Sequence, residues 1–156
     1  MSVQTPSWER RLNGWAVEAL ESYPDVEPPA VSRRQLRRAY RHVAELTRRH
    51  SRTFALASSL LPPAKRRAVH ALYAFCRVSD DLVDAPNADQ PRALAQWRTR
   101  ALAGHPKLDD LVALAWAHTR ARYGIPRRYA EQLIEGVGRD LVTSRYATFS
   151  ELAAYC

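Results

Sequence analysis

Three aspartates, Asp80, Asp81 and Asp84, close a long segment in the middle of the chain that has the sequence pattern of a helix. On an α-helix, Asp80 and Asp84 are four residues apart and therefore share a face. No basic residue follows them in the segment, so the two carboxylates repel each other unless a cation lies between them. Carboxylate oxygens suit Mg²⁺, which proteins commonly hold through one or two carboxylates together with phosphate oxygens of a substrate. The spacing therefore predicts a site for magnesium and a phosphate ester.

Tyr73 and Arg77 extend this face toward the start of the segment, because positions 73, 77, 80 and 84 follow the spacing of one helix face. These four residues are called the polar stripe below. An arginine one turn before the acids can hold a diphosphate through two hydrogen bonds. The ordinary alternative is a solvated helix end, with Arg77 paired to Asp80 or Asp81 for about 0.2–0.5 kcal/mol. Carboxylates at a helix C-terminus are disfavoured without a cation, which favours the metal site.

The elements that must carry these residues are helical. The 156 residues are 46% hydrophobic and include only 5 glycines, and they lack the alternation typical of strands. We therefore predict an all-α protein, with an N-terminal extension and proline-rich linker at 1–30 and a helical domain at 31–156. The helices predicted within that domain span about 32–50, 63–84, 88–103, 107–122 and 126–137. A last helix begins near Thr148 or Ser150, either of which can cap it.

Charge and cysteine content bound the surroundings of the protein. The net charge is +8, so the surface can attract anionic substrates, anionic lipid or nucleic acid. The two cysteines, Cys76 and Cys156, do not form a disulfide framework, which fits a reducing compartment. The chain has no signal-peptide pattern and no apolar run long enough to span a bilayer. We therefore expect a cytoplasmic protein.

Five segments together resemble the phytoene/squalene synthase family of head-to-head prenyl synthases, and the resemblance extends from about residue 35 to the end. The segments are SRTF at 51–54, YAFCR at 73–77, DDLVD at 80–84, EGVGRDL at 135–141 and RYATFSELAAYC at 145–156. The aspartate motif alone is shared with head-to-tail prenyl transferases and terpene cyclases. Those families give the first two segments no role, so the combination is the specific signal.

The resemblance implies a helical bundle of the isoprenoid-synthase type around a central cavity. It assigns metal binding to Asp80, Asp84 and Asp140, with Mg²⁺ as the ion and Mn²⁺ as its alternative. It assigns catalysis to the polar stripe, that is, to Tyr73, Arg77, Asp80 and Asp84. The residues that it assigns to substrate binding are Ser51, Arg52, Phe54, Tyr73, Arg77 and Tyr155.

The implied reaction joins two geranylgeranyl diphosphates through a cyclopropyl diphosphate to give phytoene, a step of carotenoid biosynthesis. Its partners are prenyl diphosphates, and a peripheral membrane contact would serve release of the product. The first alternative is a squalene or dehydrosqualene synthase that uses farnesyl diphosphate, with NADPH required only for squalene. A second alternative is a non-catalytic assembly protein with the same fold.

The sequence departs from the family in one respect, because no second aspartate-rich motif follows Asp84. The last predicted helix also has an apolar pattern that stops after barely two turns. We therefore expect the chain to be the N-terminal part of a truncated domain and to be inactive alone. A basic helical nucleic-acid-binding domain is the remaining alternative, and it predicts salt-sensitive binding that does not need Asp80. Because the polar stripe favours an enzyme, we expect no nucleic-acid partner.

Overall fold

The computed structural model describes residues 7–21, 27–85, 89–141, 145 and 147–155, and these ranges hold eight α-helices and no strand. The prediction of an all-α protein is confirmed. Within the same ranges, no helix has both the length and the apolar character needed to cross a bilayer. The helices are α1 (Ser7–Glu21), α2 (Arg33–His50), α3 (Arg52–Ser58), α4 (Pro63–Asp84), α5 (Gln90–Ala101), α6 (Leu111–Tyr123), α7 (Arg127–Arg139) and α8 (Phe149–Tyr155).

Side-chain caps decide where several helices begin. Ser32 forms a capping box with Gln35 at the start of α2: Ser32 Oγ accepts from Gln35 N at 3.2 Å, and Ser32 N donates to Gln35 Oε1 at 2.9 Å. Asp89 caps α5 and Asp110 caps α6 through a single side-chain bond, because each carboxylate accepts from the amide three residues later. These two helices therefore begin later than predicted, because the aspartates are caps and not helical residues.

The last helix is capped by Thr148 and not by Ser150. Thr148 Oγ1 accepts from Glu151 N at 3.2 Å, and α8 follows directly. The Glu151 carboxylate accepts in turn from Ala147 N at 2.8 Å, one residue before the cap. The spacing of Thr148 and Glu151 therefore gives the first bond of a capping box, but the Glu151 carboxylate accepts from Ala147 N and not from Thr148 N.

The core lies where α2, α4 and α6 pack against one another. Phe75 of α4 is fully buried, and its ring stacks on Trp116 of α6 with centroids 4.6 Å apart and planes at 8°. The Phe75 ring also lies near Trp97 of α5, with centroids 6.1 Å apart and planes at 34°. Trp97 Nε1 donates to Ser79 Oγ at 2.9 Å, which ties α5 to α4 one turn after Phe75. This aromatic cluster fixes the rotation of α4 about its own axis.

That rotation leaves the polar stripe on the side of α4 away from the core. The buried side of α4 holds His70, Ala71, Ala74, Phe75 and Ser79. Helices α5 and α7 also pack against α4, and α3 joins it near its first turns. Helix α1 packs against α7 and α8. The helix that carries the stripe is therefore held from several sides.

Candidate functional site

Helix α4 carries the polar stripe on one partly exposed face, as the sequence spacing predicts. Tyr73, Arg77 and Asp80 are half-buried, and Asp84 is exposed in the last turn. Pro63 in the first turn fixes the start of α4, and no basic residue occupies its last turn. The carboxylates thus meet the negative end of the helix dipole without a cation in the last turn of α4 to offset it.

Arg77 is held by an acidic residue of the same helix. Its guanidinium forms an ion pair with Asp81, which is one turn later on α4. Nε of Arg77 is buried and has no hydrogen-bond partner among the residues that the structure describes. A buried donor without a partner costs free energy, which an acceptor oxygen from a ligand would recover. Arg77 is therefore held in place by Asp81, while its Nε–H is available to donate to an oxygen of a diphosphate.

Asp80 lies in an electrostatic environment that opposes its charge. Burial raises the pKa of the Asp80 carboxyl, and the neighbouring carboxylates of Asp84, Asp81 and Asp140 raise it further, while Arg77 lowers it. The same burial, together with Asp80, raises the pKa of the Cys76 thiol to about 11, so Cys76 is an unreactive thiol. Negative charge is in excess at this point of the surface, and a bound cation would relieve it.

The three predicted metal ligands are only partly brought together. Asp140 ends α7, and its charge acts on Asp80 from there. Among the described residues, however, no three His, Cys, Asp or Glu side chains gather closely enough to hold a metal ion. The residues fit Mg²⁺ nonetheless, because it commonly binds one or two carboxylates and takes its other ligands from water and substrate phosphate. Asp80 and Asp84 would supply those carboxylates.

The predicted substrate residues of α3 lie beside the start of the stripe. Ser51 ends α2 and caps α3, and its Oγ accepts from Phe54 N at 3.2 Å. The Phe54 ring stacks on Tyr73 with centroids 5.0 Å apart and planes at 26°. Arg52 is exposed at the first position of α3. The side chain of Tyr155, the remaining predicted substrate residue, lies outside the described part of the structure.

One contact that positions this region is absent from the sequence-based prediction. Ser58 Oγ lies 2.8 Å from His70 Nε2, and both residues are buried where α3 meets α4. Burial and the charge of Arg66 lower the pKa of His70, which favours the neutral ring. The pair ties the end of α3 to α4 and so fixes the direction in which α3 presents Phe54. Its only signal in the sequence is a polar residue on the apolar side of each helix.

The chain is similar to known proteins over most of its length. The family model for squalene/phytoene synthase matches residues 47–156. A 15-cis-phytoene synthase of Synechococcus elongatus is 39% identical over 133 residues, which cover 82% of this chain and 42% of that protein. Phytoene synthase 3 of Zea mays is 39% identical over 126 residues, covering 78% of this chain and 29% of that protein.

A 15-cis-phytoene synthase of Synechocystis is 38% identical over 138 residues, which cover 85% of this chain and 40% of that protein. The chain thus spans less than half the length of each of these relatives. No solved structure matches the chain. The resemblance drawn from the five sequence segments is confirmed, and the chain belongs to the squalene/phytoene synthase family.

Proposed function

We propose that this chain is part of an enzyme that condenses two molecules of geranylgeranyl diphosphate head to head to give phytoene. Relatives named as phytoene synthases support the choice of product within the family. The observation that carries the proposal is the charge arrangement on α4. Asp80 is half-buried among three further aspartates, beside an arginine that keeps a buried donor without a partner. That arrangement suits a metal-bound diphosphate.

The reaction begins with departure of diphosphate from an allylic carbon, and the double bond of the second substrate attacks the cation that remains. Loss of a proton from the resulting cation closes the cyclopropane ring. The cyclopropyl diphosphate then loses its diphosphate, and the new cation rearranges and loses a second proton to give the hydrocarbon. Mg²⁺ held by Asp80 and Asp84 would neutralise charge on the leaving diphosphate. Arg77, fixed by Asp81, binds the same diphosphate through its free Nε–H and holds it in one orientation.

The stacked pair of Phe54 and Tyr73 serves the hydrocarbon part of the substrate. The pair lies at the α3 end of the polar stripe, about two turns along α4 from Asp80. Phe54 is 38% exposed, so part of its ring surface is accessible to a ligand. Aromatic faces attract cations and exclude water, which suits a prenyl chain with a carbocation at its end.

The test uses the full reading frame in which this chain is encoded. The purified protein is incubated with geranylgeranyl or farnesyl diphosphate and Mg²⁺, with and without NADPH, and the hydrocarbon is identified by mass. We expect phytoene from geranylgeranyl diphosphate without NADPH. A product from farnesyl diphosphate alone would move the assignment to squalene or dehydrosqualene synthesis. The absence of any product would favour the assembly protein.

We further propose that residues 1–156 do not turn over substrate by themselves. The family resemblance implies a second aspartate-rich motif, which has no counterpart in this sequence, and the relatives are more than twice as long as the matched region. Incubation of purified 1–156 with geranylgeranyl diphosphate and Mg²⁺ tests this directly. Formation of phytoene would contradict it.

The aromatic pair gives a first prediction for variants of the full-length enzyme. We expect Phe54→Ala to raise KM for geranylgeranyl diphosphate by about threefold to tenfold, the scale of one aromatic contact. Phe54→Leu keeps the apolar surface but loses the ring, so its effect should be smaller. Steady-state kinetics with the two variants measures the difference. Equal KM values for the wild type and Phe54→Ala would show that Phe54 does not contribute to substrate binding.

The ion pair of Arg77 gives a second prediction. Asp81 acts through Arg77 and is therefore a positioning residue. We expect Asp81→Asn to raise KM several-fold, because Arg77 loses its anchor, while kcat falls less. The pair is partly exposed, with 37% of the Arg77 side chain and 44% of the Asp81 side chain accessible. The free energy of unfolding should therefore change by less than about 1 kcal/mol.

Chemical denaturation supplies the stability measurement, and steady-state kinetics supplies KM and kcat. A large loss of stability with an unchanged KM would mean that Asp81 is structural. Glu45→Gln is the matched control, because Glu45 pairs with Arg48 and Arg49 on α2 and not with a residue of the polar stripe. We expect that control to leave KM unchanged.

A further inference from the structure

A polar cavity lies between α2, α4 and α6. Its volume is about 450 Å³, within the range of small-molecule sites. Tyr40, His118 and five arginines line it, and among the described residues none that lines it is acidic. The arginines are Arg33, Arg37 and Arg41 of α2, Arg67 of α4 and Arg122 of α6.

The charges of these five guanidinium groups are not balanced by neighbouring carboxylates. None of them forms an ion pair with a carboxylate in the described ranges. Elsewhere, Arg49 pairs with Glu45, and Arg127 and Arg128 pair with Glu131. Five positive charges without a carboxylate partner in the described ranges therefore line this cavity.

The positions of these arginines on their helices are electrostatically unfavourable. Arg33, Arg37 and Arg41 follow one another at intervals of four residues, so neighbouring like charges repel along one face of α2. Arg33 also lies in the first turn, where the helix dipole is positive and disfavours a cation. Arg67 and Arg122 add charge from the two facing helices. A multivalent anion would relieve all of these unfavourable contacts together.

Polar side chains at the floor of the cavity lie within hydrogen-bond distance of one another. The Tyr40 hydroxyl lies 2.9 Å from His118 Nδ1 and 3.0 Å from Thr119 Oγ1, and the Arg67 guanidinium lies 5.7 Å from the centre of the Tyr40 ring. Burial and the charges of Arg122 and Arg67 lower the pKa of His118, which keeps its ring neutral. When Nδ1 accepts from Tyr40, the ring hydrogen lies on Nε2 and makes His118 a further donor.

We propose that this arginine cavity binds a small anion that carries two or more phosphate groups. Guanidinium groups hold phosphate oxygens through paired, charge-assisted hydrogen bonds, and five of them converge here from three helices. The site is separate from the polar stripe. Arg67 precedes Asp80 by 13 residues on α4, which places it about 20 Å away along the helix axis.

The first experiment titrates the full-length protein with inorganic diphosphate in the presence of EDTA and follows binding by calorimetry. EDTA removes the metal on which diphosphate binding at the stripe depends. We expect one site, whose affinity falls at least about tenfold in the double variant Arg67→Gln/Arg122→Gln. Arg92→Gln is the matched control, an exposed arginine of α5 outside the cavity, and it should leave the affinity unchanged.

A second readout does not depend on an arginine variant that fails to fold. Diphosphate bound beside Arg67 and Arg122 offsets their charge, so the pKa of His118 should rise on binding. A nuclear magnetic resonance titration of the imidazole signals, with and without diphosphate, measures that rise. An unchanged His118 titration with saturating diphosphate would contradict the proposal.

Two further arms decide the source of the phosphate and the location of the site. Phosphatidylcholine vesicles that contain phosphatidic acid should bind the wild type more strongly than the double variant if the natural ligand is a lipid headgroup. If only free diphosphate distinguishes the two proteins, the ligand is a soluble anion. If Arg77→Gln abolishes binding and the double variant does not, diphosphate binds at the polar stripe and the proposal is wrong.

Discussion

Asp80→Asn should reduce the turnover of geranylgeranyl diphosphate by the full-length enzyme at least about 100-fold, the scale of removing one preorganised electrostatic group. The amide keeps the shape of the side chain but loses the negative charge that would bind Mg²⁺. Diphosphate binding that depends on Mg²⁺ should disappear with the activity. Kinetics at saturating substrate and calorimetry with Mg²⁺ and inorganic diphosphate measure the two effects.

The matched control for this loss is Asp109→Asn. Asp109 is an exposed carboxylate in the turn before α6, and the same change in charge there should leave both measurements unchanged. An Asp80→Asn variant with normal turnover would remove Asp80 from the catalytic site. If both variants lost activity equally, a general effect of net charge would be responsible instead.

Asp80→Asn should also stabilise the metal-free protein at neutral pH. Burial, with the neighbouring carboxylates, raises the pKa of Asp80 above its value in the unfolded chain. As the pH rises through the interval between these two pKa values, the unfolded state releases its proton first and the free energy of unfolding falls. The charged carboxylate therefore destabilises the fold above that interval, and asparagine removes the penalty.

The gain should be small, about a few tenths of a kcal/mol, because solvent screens a half-buried group. It should vanish near pH 3, below the pKa of about 3.9 of an aspartate in the unfolded chain. Thermal unfolding of both proteins in EDTA across this pH range measures the difference. If the variant were less stable than the wild type at neutral pH, the charge of Asp80 would be stabilised by its contacts in the metal-free protein, and the expectation would be wrong.

Phe75→Ala should give the largest loss of stability among single changes in α4, about 3–5 kcal/mol. Phe75 is fully buried and contacts both Trp116 and Trp97, so its removal leaves a cavity in the contact that joins α4, α5 and α6. A loss of this size is a large part of the usual stability of a protein domain. Urea denaturation followed by circular dichroism measures this loss, and tryptophan fluorescence gives a second signal that includes Trp97 and Trp116.

Leu60→Ala is the control for this change, because it also removes an apolar side chain but at a position that is 89% exposed. We expect it to alter the free energy of unfolding by less than about 0.5 kcal/mol. Equal effects of the two substitutions would mean that the aromatic cluster does not hold α4. Since Phe75 lies two residues before Arg77, a destabilised Phe75→Ala protein should also bind diphosphate less well.

The features predicted best from the sequence are those that depend on neighbours along the chain. Ser32 and Gln35 stand three apart, and a capping box needs nothing else to start α2 where it was expected. Pro63 and the uninterrupted segment after it define α4 in the same local way. The polar stripe follows from the helical period alone, so Tyr73, Arg77, Asp80 and Asp84 were placed on one face without tertiary information.

Contacts between helices were not predictable in this way. The partner of Arg77 remained open between Asp80 and Asp81, because both lie within a helical turn, and only the structure shows the pair with Asp81. The pairing of Ser58 with His70 depends on the direction in which α3 leaves α2. The starts of α5 and α6 were misplaced because Asp89 and Asp110 can be either helical residues or caps.

By itself, the sequence determined the helical class, the stripe on α4 and the family, because periodicity, caps and motif spacing are properties of short segments. Only the tertiary structure placed Phe54 on Tyr73 and brought the charge of Asp140 to Asp80. Only the tertiary structure forms the arginine cavity, where the Tyr40 hydroxyl contacts His118, a residue 78 positions later in the chain. Such contacts depend on how α2, α4 and α6 pack, and packing is set by burial of all three apolar faces at once.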